Sequence, residues 1–243
     1  MNRRITESFE SSESLNRRII ESYPMLVKNC MTRHPIMLPS SASVVTAQQI
    51  LAENNIRHLP IVGDGKRLEG LVTRQRLHVK PDTLGSLSIW EISQYLSTLT
   101  VSDVMLKATE VFTITANRTI ERAAQYMAEH KVGCLLVMED EDIVVGIITE
   151  HDVLRSYQLM LGLPSEGIRV TVRMPNRPGE FARLMAILAE QEWGVMGIGT
   201  FPAPRSPGYY DVVVKVPNAS IEQVRDVLEQ IEEQEVLDIR KAS

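Results

Sequence analysis

Residues 146–152 read Gly-Ile-Ile-Thr-Glu-His-Asp and residues 70–76 read Gly-Leu-Val-Thr-Arg-Gln-Arg, so a glycine, two aliphatic residues and a threonine recur at an offset of 76. Working outward at that offset, Ala47 aligns with Ala123, Ile56 with Val132, Ile61 with Val137, and Leu77 with Val153. The opening of the repeat aligns at 74 instead, Cys30-Met31 against Val104-Met105, so two residues are gained inside the second copy. Self-similarity over a fixed period marks one supersecondary unit used twice.

Each copy carries the same pattern. Val44, Ala47 and Leu51, and in the second copy Ile120, Ala123, Ala124 and Met127, fall on one face of a helix. Short apolar strands follow at Leu59–Val62 and Leu135–Met138, with turns at 63–65 and 139–142 and return strands at Leu68–Val72 and Ile143–Ile148. A second helix begins near Arg74 or Glu150. The unit reads β-α-β-β-α, and two such units bury their apolar faces against each other.

With its Met-Thr or Met-Leu opening, the strand ending at Pro60 or Leu136 and the Gly-x-x-Thr-x-x-Asp turn at 146–152, the region from 25 to 160 resembles a tandem pair of cystathionine-beta-synthase (CBS) domains. The resemblance implies a regulatory site for an adenosine-containing ligand: AMP, ADP, ATP or S-adenosylmethionine. Asp152 would accept from the ribose hydroxyls, with Thr149 at a helix start holding phosphate beside Ile147 and His151. Across from them, the backbone of Ile56-Arg57-His58 would read the adenine edge, with Ala47 leaving room for the ring. Arg57, His58, His151 and Arg155 are the candidates for phosphate charge. The mirror-related cleft keeps Thr73, faces Val132-Gly133-Cys134 and puts Arg76 where the aspartate belongs, which implies a weaker site or one suited to extra phosphate. A structural reading of Asp152 and Thr149 stands beside the functional one, since an acid and a threonine at a helix start cap its N-terminus.

The breaker-rich stretch 161–167 marks a boundary between domains. Beyond it Val170, Val172 and Met174 alternate with polar residues, Asn176-Arg177-Pro178-Gly179 turns into a helix with a Phe181, Leu184, Met185, Leu188 stripe, and strands are expected at 194–201, 209–216 and 236–239. Ser220 and Gln223 form a capping box for a second helix. The order βαββαβ is ferredoxin-like, and with Trp193-Gly194-Val195 after the first helix it resembles an ACT domain over 167–243. That resemblance implies an amino-acid site at Asn176, Arg177, Pro178 and Gly179 with Val195, Met196, Gly197 and Ile198, and a homodimer. Pro178 and Gly179 equally serve to build the turn and start the helix. The overall layout resembles bacterial acetoin-utilisation accessory proteins.

The expected architecture is therefore α+β: a polar lead-in over 1–24, CBS domains at 25–80 and 102–160 around a linker at 81–101, and an ACT domain at 167–243. The net charge of −5, with 26 basic and 31 acidic residues spread evenly, supplies no footprint for nucleic acid. Aromatic residues are only 5%, too few for a base-stacking platform. No apolar run reaches the ~20 residues of a membrane helix, and Cys30 and Cys134, far apart in sequence, read as reduced thiols, which together point to the cytoplasm. The five histidines form no metal-ligand spacing, and no nucleophile or phosphate-loop motif is present. The expectation is a non-catalytic ligand sensor without a cofactor, the alternative being a dimerisation module that binds no ligand.

Overall fold

The structure is a computed structural model that describes residues 25–77, 98–140 and 142–242. The lead-in over 1–24 and most of the linker at 81–101 lie outside the described residues. The chain divides into two compact units between Val153 and Leu154.

The first unit contains both copies of the repeat. The first supplies α1 (Val27–Cys30), β1 (Thr32–Arg33), α2 (Val44–Glu53), β2 (His58–Val62), β3 (Leu68–Thr73) and a 3₁₀ turn over Arg74–Leu77. The second supplies β4 (Leu106–Lys107), β5 (Thr113–Thr115), α3 (Ile120–His130), β6 (Cys134–Glu139), β7 (Ile143–Thr149) and α4 (Glu150–Met160), which begins at the end of the unit. Ser43 and Thr119 cap α2 and α3 by accepting from the amides of Thr46 and Arg122, so each helix starts where a short hydroxyl satisfies an orphan donor. The faces read from spacing are the buried ones: Val44, Ala47 and Leu51 on α2, Ile120, Ala123 and Met127 on α3.

The two copies exchange their openings. One sheet has the order β2-β3-β4 and the other β1-β7-β6-β5, so each opening strand pairs with the return strand of the other copy. Thr32 lies opposite Ile147 and Arg33 opposite Gly146, while Leu106 lies opposite Leu71 and Lys107 opposite Gly70. Main-chain bonds repeat the exchange, with the Val27 amide donating to the Arg118 carbonyl and the Val101 amide to the Ala42 carbonyl, both at 2.8 Å. Val27 is buried in the core of the second copy and Val101 in that of the first. The copies expected over 25–80 and 102–160 therefore complete each other's sheets, and Val101, at the end of the expected linker, is a core residue.

The exchange explains the glycine that opens the heptapeptide. A Cβ on Gly70 would sit 2.3 Å from the Leu106 carbonyl oxygen and 2.7 Å from Met105 Sδ, and one on Gly146 would sit 2.5 Å from Met31 Sδ. The methionine of each opening therefore seats on the glycine of the other copy. A further cluster, Leu71, Cys134, Leu136, Met138, Val144 and Ile147, draws on both sheets and joins the two copies.

The second unit runs β8 (Gly167–Pro175), α5 (Glu180–Glu190), β9 (Gly197–Pro202), β10 (Tyr209–Val216), α6 (Ile221–Leu228) and β11 (Glu235–Ala242). Its antiparallel sheet has the order β11-β8-β10-β9. Ile168, Val170, Val172 and Met174 on one face of β8 pack with Val212, Val214 and Val216 of β10 and with Leu184, Leu188, Val224 and Leu228 of the helices. Arg169, Thr171 and Arg173 face the other way, as a period of two requires. Ser220 and Gln223 make both bonds of the capping box. The stripe on α5 differs from expectation: Phe181 is exposed, and Glu180 is buried because Arg177, Arg183 and Gln234 all donate to its carboxylate. The last strand extends well beyond 236–239 because β11 pairs with β8 from Gly167 to Arg173. Among the described residues no helix is long and apolar enough to cross a membrane.

Candidate functional site

In each copy a hairpin ends where a helix or turn begins. His58 lies opposite Thr73 and Cys134 opposite Thr149, and the next amides, of Arg74 and Glu150, donate to the carbonyls of Arg57 and Gly133. The residues before each hairpin, Asn55 and Lys131, both have positive φ, so the same left-handed step leads into Ile56-Arg57-His58 and into Val132-Gly133-Cys134. Two related cavities result.

The larger, of about 660 Å³, is lined by Ile147, Thr149, His151 and Asp152 from the second copy and by Ile56, Arg57 and His58 from the first. Every side chain that the resemblance assigned to the nucleotide, except Ala47 and Arg155, thus meets at one hollow. Ala47 is fully buried among Val44, Leu51 and Leu59 in the core of the first copy. Arg155 is exposed on α4. Asp152 Oδ2 accepts from the Thr149 amide at 2.8 Å and from the Thr149 hydroxyl at 2.7 Å, which closes the first turn of α4 while both residues still line the cavity.

The second cavity, about 500 Å³, is lined by Thr73, Val132, Gly133 and Cys134. Arg76 is exposed and is not part of its wall. Arg57, His58 and Arg74 line both cavities, and Glu150 lines the second. Arg74 and Glu150 occupy matching positions in the repeat with opposite charge, so the two clefts differ electrostatically. Neither was given a binding role from the sequence, although their place directly after the repeated threonine was a signal. Thr32, His34, Pro35 and Ile36 also line the larger cavity, and they reach it only through the exchange of openings.

Burial, and to a smaller extent the Arg57 guanidinium, holds the His58 pKa below its ordinary 6.5, with Glu150 opposing. The Cys134 thiol is pushed up to about 12 by burial and by Glu150, so it is inert as a nucleophile at neutral pH. Because folded His58 resists protonation, its contribution to stability is full above about 6.5 and is lost as pH falls through the unfolded value toward the folded one. The unfolding free energy measured in urea is therefore expected to drop between pH 7 and pH 5, and His58→Gln to drop less; parallel curves for the two proteins would refute the assignment.

In the second unit, Asn176 and Arg177 line a cavity of about 390 Å³ with Glu180, Phe181, Thr200 and Tyr210. Gly179 stands at the start of α5 with φ +95. Pro178, Val195, Met196 and Ile198 line none of the cavities described for this unit, and Gly197 lines a different one. Among the described residues no three His, Cys, Asp or Glu side chains gather as a metal site.

Residues 27–78 and 101–158 match the family model of the CBS domain. Over 155 residues the chain is 26% identical to L-aspartate semialdehyde sulfurtransferase of Methanocaldococcus jannaschii, covering 63% of this chain and 27% of that protein. It is 27% identical over 130 residues to homoserine O-acetyltransferase of Methanocorpusculum labreanum, covering 53% and 23%. The chain spans about a quarter of the length of these curated relatives. Among solved structures, a protein assigned to acetoin utilization in Vibrio cholerae is 31% identical, with a TM-score of 0.45 over 54% of this chain and 89% of that one. A CBS domain pair in complex with 5′-methylthioadenosine and S-adenosyl-L-methionine is 27% identical, with a TM-score of 0.44 over 54% and 98%. Residues 27–78 and 101–158 of this chain are a tandem pair of CBS domains.

Proposed function

We propose that this chain is a non-catalytic regulatory sensor whose CBS pair binds an adenosine-containing nucleotide in the larger cavity. One observation carries the reading: Thr149 and Asp152 of one copy and Ile56-Arg57-His58 of the other line a single hollow of about 660 Å³, within the ~300–1,000 Å³ range of small-molecule sites. Asp152 supplies carboxylate acceptors for ribose hydroxyls. Arg57 and Arg74 supply cationic donors for phosphate or carboxylate. In the second unit, the strand order and the turn at 176–179 support an ACT domain, and Asn176 and Arg177 on a cavity wall support an amino-acid ligand there. Leu154, Leu159 and Met160, exposed on α4, support a homodimer.

A second reading has its own support, because the bond from Thr149 to Asp152 is an N-terminal cap in its own right. Calorimetric titration of AMP, ADP, ATP and S-adenosylmethionine separates the two. Asp152→Ala is expected to weaken the best ligand at least tenfold, ~1.4 kcal/mol. Arg74→Gln, which leaves the Thr149–Asp152 cap intact, is expected to weaken a phosphate-bearing ligand. If none of the four binds, and Asp152→Ala lowers only the melting temperature, the pair is a scaffold; sedimentation of the same samples reads the assembly.

A further inference from the structure

The open face of the second unit's sheet, opposite its helices, carries a cavity that the proposed function does not use. It measures about 400 Å³. Gly197 and Gly199 of β9 and Val213 of β10 form its floor, and Leu161, Leu163 and Phe201 form walls. Strand pairing sets Gly199 opposite Val213 and Gly197 opposite Lys215. The backbone of Leu161 and Gly162 packs directly on Gly197, while Gly199 has open space above it, with Leu161 Cδ2 the nearest neighbour, so the hollow lies over Gly199.

Lys215 and Arg169 also line the cavity, and among the described residues no carboxylate does. Lys215 is only 3% exposed. Its Nζ donates to the carbonyls of Gly162, at 3.2 Å, and Ser165. Two carboxylates of this face are committed elsewhere, Asp211 to Arg173 and Asp238 to Arg169 and Arg240. Among the described residues Lys215 forms no ion pair. A buried ammonium compensated only by neutral dipoles retains much of its desolvation cost, and an anion delivered into the same apolar space forms a charge-assisted bond that water cannot match.

We propose that this cavity binds a small amphipathic carboxylate, its apolar end against Leu161, Leu163 and Val213 and its carboxylate on Lys215 and Arg169. A lining without acid gives no partner to an α-ammonium group, so a free amino acid is disfavoured here and the site is separate from the one proposed at Asn176 and Arg177.

The probes are isovalerate, its neutral counterpart isovaleramide, and leucine, each titrated calorimetrically into the full chain. Isovalerate is expected to bind at least tenfold more tightly than either of the others. Lys215→Met, of similar length without the charge, is expected to cost isovalerate at least tenfold. Gly199→Leu is the second variant: a Cβ at Gly199 would meet only Leu161 Cδ2, at 3.7 Å, so a side chain can be added at this position of the cavity lining, and it is expected to abolish binding with the melting temperature retained. Nucleotide affinity of the CBS pair is expected to be unchanged in both variants, which keeps this outcome distinct from that of the proposed function. Equal affinity for acid and amide, or isovalerate binding that survives Gly199→Leu, would overturn the proposal.

Discussion

Urea unfolding of the Gly70→Ala variant is expected to show a loss of about 3 kcal/mol from the first unit, the upper part of the range for forcing extra volume into a packed interior. Alanine in place of glycine restricts the unfolded chain, which by itself stabilises by ~0.4–1 kcal/mol. That gain is too small to offset the collision, because the nearest atom to the new Cβ is the Leu106 carbonyl oxygen at 2.3 Å and backbone cannot swing aside. To make room, β4 would have to leave β3, and with it the exchange that seats Val101 in the core of the first copy. Gly146→Ala is the internal control. Its nearest atom is the Met31 thioether, which is flexible, with the Thr32 carbonyl oxygen behind it at 3.1 Å, so a smaller loss of about 1 kcal/mol is expected. Two near-neutral variants would mean that the openings are not held against the opposite return strands as described.

The second large effect concerns Leu136. Its side chain is fully buried in the cluster that joins the sheets of the two copies, where Leu71 comes from the first and Cys134, Met138, Val144 and Ile147 come from the second. Truncation to alanine removes apolar burial and leaves a void, which for leucine costs about 3 kcal/mol. Exchange and shared cluster together also require that the copies unfold as one. Calorimetry of the first unit's transition in Leu136→Ala is expected to show a single peak at lower temperature, not one copy melting ahead of the other. Two separated transitions assigned to residues 25–77 and 98–153 would contradict that coupling.

Much of the local structure was legible from spacing. α2 and α3 bury the residues that periodicity selected, the hairpins of both copies fall where apolar runs flank turn residues, and Ser220 caps α6 through the bonds its spacing with Gln223 implied. Glu180 was not legible, because its burial depends on Gln234, distant in sequence and adjacent only after β11 docks beside β8. Ala47 was misplaced for a related reason. Its position in the repeat is compatible with either a cavity wall or a helix face in the core, and α2 turns it inward. Lys215 reads as an ordinary polar position in an alternating strand, and only the return of residues 161–165 over the sheet buries it.

The chain's own order of residues determined that a unit is used twice, which faces of its helices are apolar, and which threonine and aspartate stand at the start of α4, since these depend on neighbours within a few positions. The tertiary structure alone decided that each copy completes the other's sheet, that His34 and Ile36 reach the larger cavity, and that Arg57, His58 and Arg74 serve both clefts. The physical reason is that hydrophobic periodicity records which side of an element seeks burial but not which partner supplies it, and a duplicated sequence offers each strand two nearly equivalent partners. Packing resolves that choice here, with each methionine seated on the glycine of the opposite copy.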